Sequence, residues 1–425
     1  TAQDDPAHLA KNTLEHQGSY LMPLLRYFSN TDLRAIETQE DNVYFTAPFT
    51  FINYPFSWVF PMVIVAGLLF LILVFIGIGK RILCIPEIMK GFIPLLGSLL
   101  SAGLVTFLGW QLLLLVYPQY NDLLNGFTYN GHSYIAAFVL LAIAISFGFY
   151  HLFSIKKLTM NHYIAPLFIW IIINATIAIS LPGAGFLILP LYFGLLALAV
   201  FVITQKSYKF LNLVLSIPAF IIIAPFIQMF PIGLGLKILY GSAILTVLTF
   251  TLLLPTFGSF VKKGKWGFVF LLASIGFFAH AHYESGYQKG KAKSNSLLYV
   301  YDAESKVAKW VTYDKNLDSW TKSYLGENPK APQKLNATPL FSKYNSKFTY
   351  ATTADLRELP LPTIQFLRDS TAGNQRYLKI RISPNRKVNR YDIFANEKMT
   401  ITNFKANGAQ NLEQKGASLP RRGLK

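Results

Sequence analysis

The stretch HAHYE, His280 to Glu284, comes nearest in residue type and spacing to metal chemistry. Two imidazoles and a carboxylate within so short a segment are zinc-ligand types. On a helix the two imidazoles point about 200° apart, so they meet at one ion only where the helix has already ended. His280 and His282 are therefore expected as an interfacial polar site, touching water or lipid headgroups. His132, His151 and His162 are isolated near the ends of apolar runs and receive no role. Cys84 is the single cysteine, which rules out an intrachain disulfide and a cysteine-based metal cluster. It follows Lys80-Arg81 and is expected as a buried or lipid-facing thiol.

Transport requires ionisable groups inside spans. The apolar runs supply almost none, and Gln111, Asn174 and Gln228 are their notable polar side chains. Single amides of this kind usually hydrogen-bond between helices. Pro190, Pro218, Pro225 and Pro255 fit either broken helices around a cavity or ordinary spans. There is no G-x-S-x-G elbow, Walker loop or H-E-x-x-H motif. The N-A-T at Asn174 lies within a span and cannot be glycosylated, whereas that at Asn336 lies in an exposed region.

The elements that carry these residues are mostly membrane spans. Of 425 residues, 52% are hydrophobic and only 14% charged, against about 25% charged in a soluble domain. Mean hydropathy is +0.37. The charge deficit is concentrated between Trp58 and Ala281, in long apolar runs separated by small charged clusters. The fold class expected is a mainly α-helical multi-pass membrane protein of about eight spans, with a C-terminal β-rich extracytoplasmic domain. The runs are Trp58–Gly79, Gly91–Tyr117, Tyr134–Ile155, Tyr163–Ser180, Ala184–Thr204, Leu211–Phe230, Ile238–Gly258 and Trp266–Ala281. The stretch SLPGAG, from Ser180, reads as a tight turn rather than a break within one helix. The aromatic run before Trp58 fits an interfacial approach or a short strand equally well.

Three regions follow: a polar, helix-like segment at 1–42, a linker and multi-pass domain at 43–282, and a β-rich domain at 283–425. In the last, Ser296–Asp302 and Lys306–Asp314 flank a hairpin-length turn, and RYLKIRISP alternates. Lys and Arg cluster in every other loop: Lys80 and Arg81, Lys156 and Lys157, Lys206 and Lys209, Lys262 to Lys265. By the positive-inside rule those loops are cytoplasmic and both ends of the chain lie in the periplasm or an organelle lumen. Lys289, Lys291 and Lys293 run mildly against this, although a long following domain translocates despite such charges. The net charge of +18 reflects topology determinants and a basic exposed domain. With no nucleic-acid signature, the partner expected is the lipid bilayer and not nucleic acid.

The opening segment, TAQDDPAHLAKNTLEHQGSYLMPLLRYFSN, has neither the basic nor the apolar region of a signal peptide. Asp4, Asp5 and Pro6 start a helix, and Leu9, Leu14, Leu21, Leu24 and Leu25 recur at roughly helical spacing. Such a helix lies on a membrane surface or packs on a soluble core. Its acidic start and few basic residues argue against the membrane surface.

The order of residues here resembles the end of the catalytic domain in the zinc aminopeptidase family that includes aminopeptidase Y and the vacuolar membrane proteases (peptidase family M twenty-eight). In that family a zinc-ligand His begins a His-Thr-x-x-Asp-x-Pro stretch, which a helix follows. Thr1, Asp4 and Pro6 match the stretch, LEHQGSY matches the helix, and Val43-Tyr44-Phe45 and Tyr54-Pro55 match the linker to the spans. The resemblance implies a zinc-dependent exopeptidase acting on peptides in the periplasm or lumen. Its ligand His is expected immediately before Thr1, with the other ligands and the general-base Glu upstream. A dizinc site of that kind activates water and polarises the peptide carbonyl. On this reading the chain binds no zinc itself, is inactive alone, and offers Thr1 and Asp4 only as outer-shell groups. Residues 1–42 are then the last helix of a truncated peptidase domain. The alternatives are a polytopic permease or channel and a non-enzymatic membrane scaffold.

Overall fold

The computed structural model describes residues 9–38, 40–47, 50–123, 125–153, 160–257, 260, 262–288, 290–337, 347–389, 391, 393, 405–407 and 409–410. Thr1 and Asp4 lie outside the described residues, as do Lys156, Lys157, Lys289 and the MTITNF segment. The chain forms two compact units, Thr1–Asn295 and Ser296–Lys425.

The first unit opens with α1 (Lys11–Ser29), in which no residue is buried. Leu14, Leu21, Leu24 and Leu25 are all exposed on it. The aromatic run forms a hairpin: β1 (Asn42–Ala47) pairs antiparallel with β2 (Thr50–Pro55), with Val43 opposite Tyr54. Alternation puts Val43 and Tyr54 inward, in a small core with Val59 and Phe186, while Tyr44 and Phe51 stay exposed. Gly185 allows this seat, because a Cβ there would lie 2.8 Å from Val59.

A helical bundle follows: α2 (Val59–Gly79), α3 (Ile85–Val116), α4 (Gly131–Leu152), α5 (Asn161–Ser180), α6 (Ile188–Thr204), α7 (Lys209–Leu234), α8 (Leu239–Leu252), the single turn α9 (Leu254–Phe257) and α10 (Lys263–Tyr283). Among the described residues, seven of its segments are long and apolar enough to cross a membrane. Their outward residues are apolar too; Phe75, Leu100 and Leu115 are among the most exposed. Such a belt is stable in hydrocarbon and not in water. The SLPGAG stretch is a short 3-10 turn, Pro182–Leu187, between α5 and α6.

The remaining expected span, Ile238–Gly258, differs. Its apolar helix, Leu236–Leu252, is shorter than the other seven. Pro255 lacks an N–H, and the chain breaks into α9 after Leu253. The end of α8 becomes a set of acceptors: the Leu252 carbonyl takes the Tyr163 hydroxyl at 3.1 Å, and the Leu248 carbonyl takes Trp170 Nε1 at 3.3 Å. Both donors are fully buried in the main core. α8 nonetheless links the two ends of the bundle. The Leu236 N–H before it donates to Gly126, in the α3–α4 connection. The Pro255 carbonyl after it accepts from Asn212, in the first turn of α7.

These contacts sort the loops. One end of the bundle carries Lys80, Arg81, Lys206, Lys209 and Lys262 to Lys265; there Lys80 Nζ reaches the Val202 carbonyl. Cys84 is exposed at this end, and its N–H donates to Asn161 at 2.7 Å. The other end gathers the β1–β2 hairpin, the Pro182–Leu187 turn, the α3–α4 connection and the C-terminus of α10.

In the second unit, β3 (Leu298–Asp302) and β4 (Val307–Thr312) form the expected hairpin. Asp302 turns it by accepting the N–H groups of Glu304 and Ser305 and the Ser305 hydroxyl. Those bonds hold its carboxyl below the ordinary range. The helices α11 (Ser319–Leu325) and α12 (Gln333–Ala337) precede β5 (Tyr350–Thr353), which completes a three-stranded sheet. The alternating RYLKIRISP lies along β7 (Gln375–Ser383), which pairs among the described residues with β6 (Thr363–Ala372) alone. β8 (Lys405–Ala406) and β9 (Ala409–Gln410) form a minimal pair. The described strands thus make a small sheet and separate ribbons.

Candidate functional site

At the lysine-poor end, polar and aromatic side chains from three helices converge. α3 carries Trp110 in its last turns and Tyr117 follows it, and a 3-10 turn, Pro118–Asp122, swings Tyr120 back over Trp110 with the rings nearly parallel. Tyr134 of α4 meets both rings edge-on. This aromatic floor is buried and carries Asn130, which precedes α4. Asn130 Nδ2 donates to the Tyr120 hydroxyl at 2.9 Å and to the Ala281 carbonyl of α10 at 2.7 Å.

α10 stays helical to Tyr283, so its two imidazoles diverge. His280 Nδ1 lies 3.0 Å from Ser133 Oγ, on α4. His282 Nδ1 lies 2.5 Å from the Tyr117 hydroxyl, beyond α3. Burial, followed by the neighbouring Tyr120, pushes the Tyr117 phenol up. Tyr117→Phe keeps the ring and removes one hydrogen bond. Its expected cost is about 1 kcal/mol, read by thermal unfolding in detergent micelles.

Beyond α10 the chain remains fastened. Glu284 pairs with Lys291, and the Tyr129 hydroxyl donates to the Ala292 carbonyl at 3.0 Å. Lys293 Nζ meets Asp122 Oδ2 at 3.5 Å, with those side chains 14% and 2% exposed. Burial, followed by the Asp122 carboxylate, pushes the Tyr287 phenol up to about 12. Residues 280–288 and 290–293 therefore form a strap along the α3–α4 connection.

This geometry suits fastening better than catalysis. His280 on Ser133 is a base–nucleophile pair by type, but no described carboxylate hydrogen-bonds that imidazole. Among the described residues no three His, Cys, Asp or Glu side chains group as a metal site. His280 and His282 do not fit zinc, because each ring is turned to its own partner. The amides of the apolar helices do not converge either. Asn174 Nδ2 donates to the Trp170 carbonyl of its own helix, Gln111 is exposed on α3, and Gln228 lines a crevice of α7.

Asn130, Tyr120, Asp122 and Lys293 escape sequence reasoning. A readable signal exists in PQYNDLLNGFTYNGHS, a loop with an aspartate but no Lys or Arg, set against the late cluster containing Lys293. Comparison with protein-family models, curated proteins and solved structures finds no match.

Proposed function

We propose that the chain is the membrane-embedded portion of a zinc-dependent exopeptidase, holding a peptidase domain on the periplasmic or lumenal side. α1 carries the proposal: an amphipathic helix with its leucines exposed and none of its residues buried. A helix of this kind gains its stability from a core that covers its apolar face. The hairpin that follows α1 sits at the same end of the bundle as the strap after α10. That end is poor in Lys and Arg, which favours the extracytoplasmic side. The proposal places the zinc ligands outside this sequence, consistent with the local resemblance of residues 1–55 to the aminopeptidase Y family. The spans and the strap then act as an anchor.

The test uses protein from its native membrane, captured with an antibody to residues 347–389. Zinc by elemental analysis and release of N-terminal residues from peptides, lost on chelation and restored by zinc, is the expected result. Captured protein without zinc or peptidase activity overturns the proposal.

A further inference from the structure

We infer that a crevice between α4, α7, α8 and α10 binds one acyl chain of a bilayer phospholipid, with the lipid's polar region at His132 and Gln228. The crevice has a volume of about 480 Å³. Val139 and Ile143 of α4 and Phe220 and Ala224 of α7 line it. Thr246 and Thr249 of α8 also face it, but their hydroxyls donate to the Ser242 and Leu245 carbonyls at 2.7 Å. The walls offer water too few partners to hold it, so the crevice is dry.

Its two ends differ. At the lysine-rich end an aromatic plug closes it: Phe147 packs on Phe257 and Phe260, and Phe260 on Trp266. At the opposite end His132, in the first turn of α4, and Gln228, in the last third of α7, supply the polar lining. An occupant must therefore be polar at one end and apolar along its length.

Size selects among such occupants. Along α4, His132 to Phe147 spans about 22 Å at 1.5 Å per residue. An apolar slot of that length matches one hydrocarbon chain of a bilayer lipid. The surroundings are hydrocarbon, and an empty apolar slot forfeits packing contacts on every wall. His132 is exposed beside the mouth, which leaves room for a headgroup outside the bundle and a second chain in the surrounding bilayer.

The test reconstitutes the full chain in phosphatidylcholine vesicles containing a phosphatidylcholine with a photoreactive diazirine midway along one chain. Adducts are mapped by peptide mass spectrometry. Adducts concentrated on Val139, Ile143 and Ala224, above the level on the exposed residues Leu71 and Phe75 of α2, are expected. Filling the slot with Ala224→Trp is expected to lower the crevice adducts about tenfold, an effect of the size that overpacking exerts on an equilibrium. The α2 adducts should stay unchanged and report that the variant is folded. Crevice labelling no higher than α2 labelling, or insensitive to the variant, overturns the inference. Native mass spectrometry of the unmodified protein after detergent exchange gives a second readout. One retained phospholipid supports the site, and none, or only free fatty acid, overturns it.

Discussion

Replacing Lys293 by alanine is expected to destabilise the lysine-poor end of the bundle by about 3 kcal/mol, because the Asp122 carboxylate stays buried while one cation beside it is removed. Asp122 is only 2% exposed at its side chain and lies under the strap, 3.5 Å from Lys293 Nζ. A surface pair would contribute well under that amount and vanish in salt. Burial makes the two cases separable: the loss in Lys293→Ala should persist in molar salt. The paired variant Asp122→Asn/Lys293→Met removes both charges and should recover most of the stability, since an uncharged pair has little desolvation cost. Thermal unfolding in micelles measures the global effect. Limited proteolysis across 284–295 measures the local one, and there Lys293→Ala should cut faster than the paired variant. Equal behaviour of the two would mean that the pair does not fasten the strap.

Much of the helical unit is legible in the sequence because its physics is one-dimensional. Hydrocarbon demands long apolar helices, and the lysine clusters mark where they end, as they do around α2, α6 and α10. The exceptions arise where tertiary contacts override hydropathy. α8 is as apolar as a span yet ends early at Pro255, and buried donors on α5 take its carbonyls. The aromatic run before α2 satisfies two readings until Val43 and Tyr54 are seen to close on Val59 and Phe186. The strap is the least legible part. Asn130, Tyr117 and Ser133 are ordinary loop and helix-start residues, and only folding sets them against the end of α10. His280 and His282 were visible as chemistry-bearing types. Helical spacing alone already argued that they diverge, and the continuation of α10 to Tyr283 realises that divergence.

Gly91→Ala is expected to be the most damaging methyl addition in the bundle, with a loss of about 2–3 kcal/mol. A Cβ at Gly91 would lie 2.7 Å from the Cα of His162. That neighbour is backbone in the first turn of α5 and cannot swing aside as a side chain would. Relief requires α3 and α5 to separate at the end where Asn161 also receives the Cys84 N–H. The cost should therefore extend to that contact, and hydrogen exchange at the Cys84 amide should rise with it. Gly67→Ala, in α2, is the matched control. A Cβ there meets nothing within 4 Å, so only helix propensity acts, and the substitution should be neutral or stabilising by up to about 1 kcal/mol. Opposite signs for the same added methyl follow from close helix packing, because in lipid small residues are selected by how near two backbones must come. If Gly91→Ala and Gly67→Ala unfold alike, α3 and α5 do not approach as closely as the bundle requires.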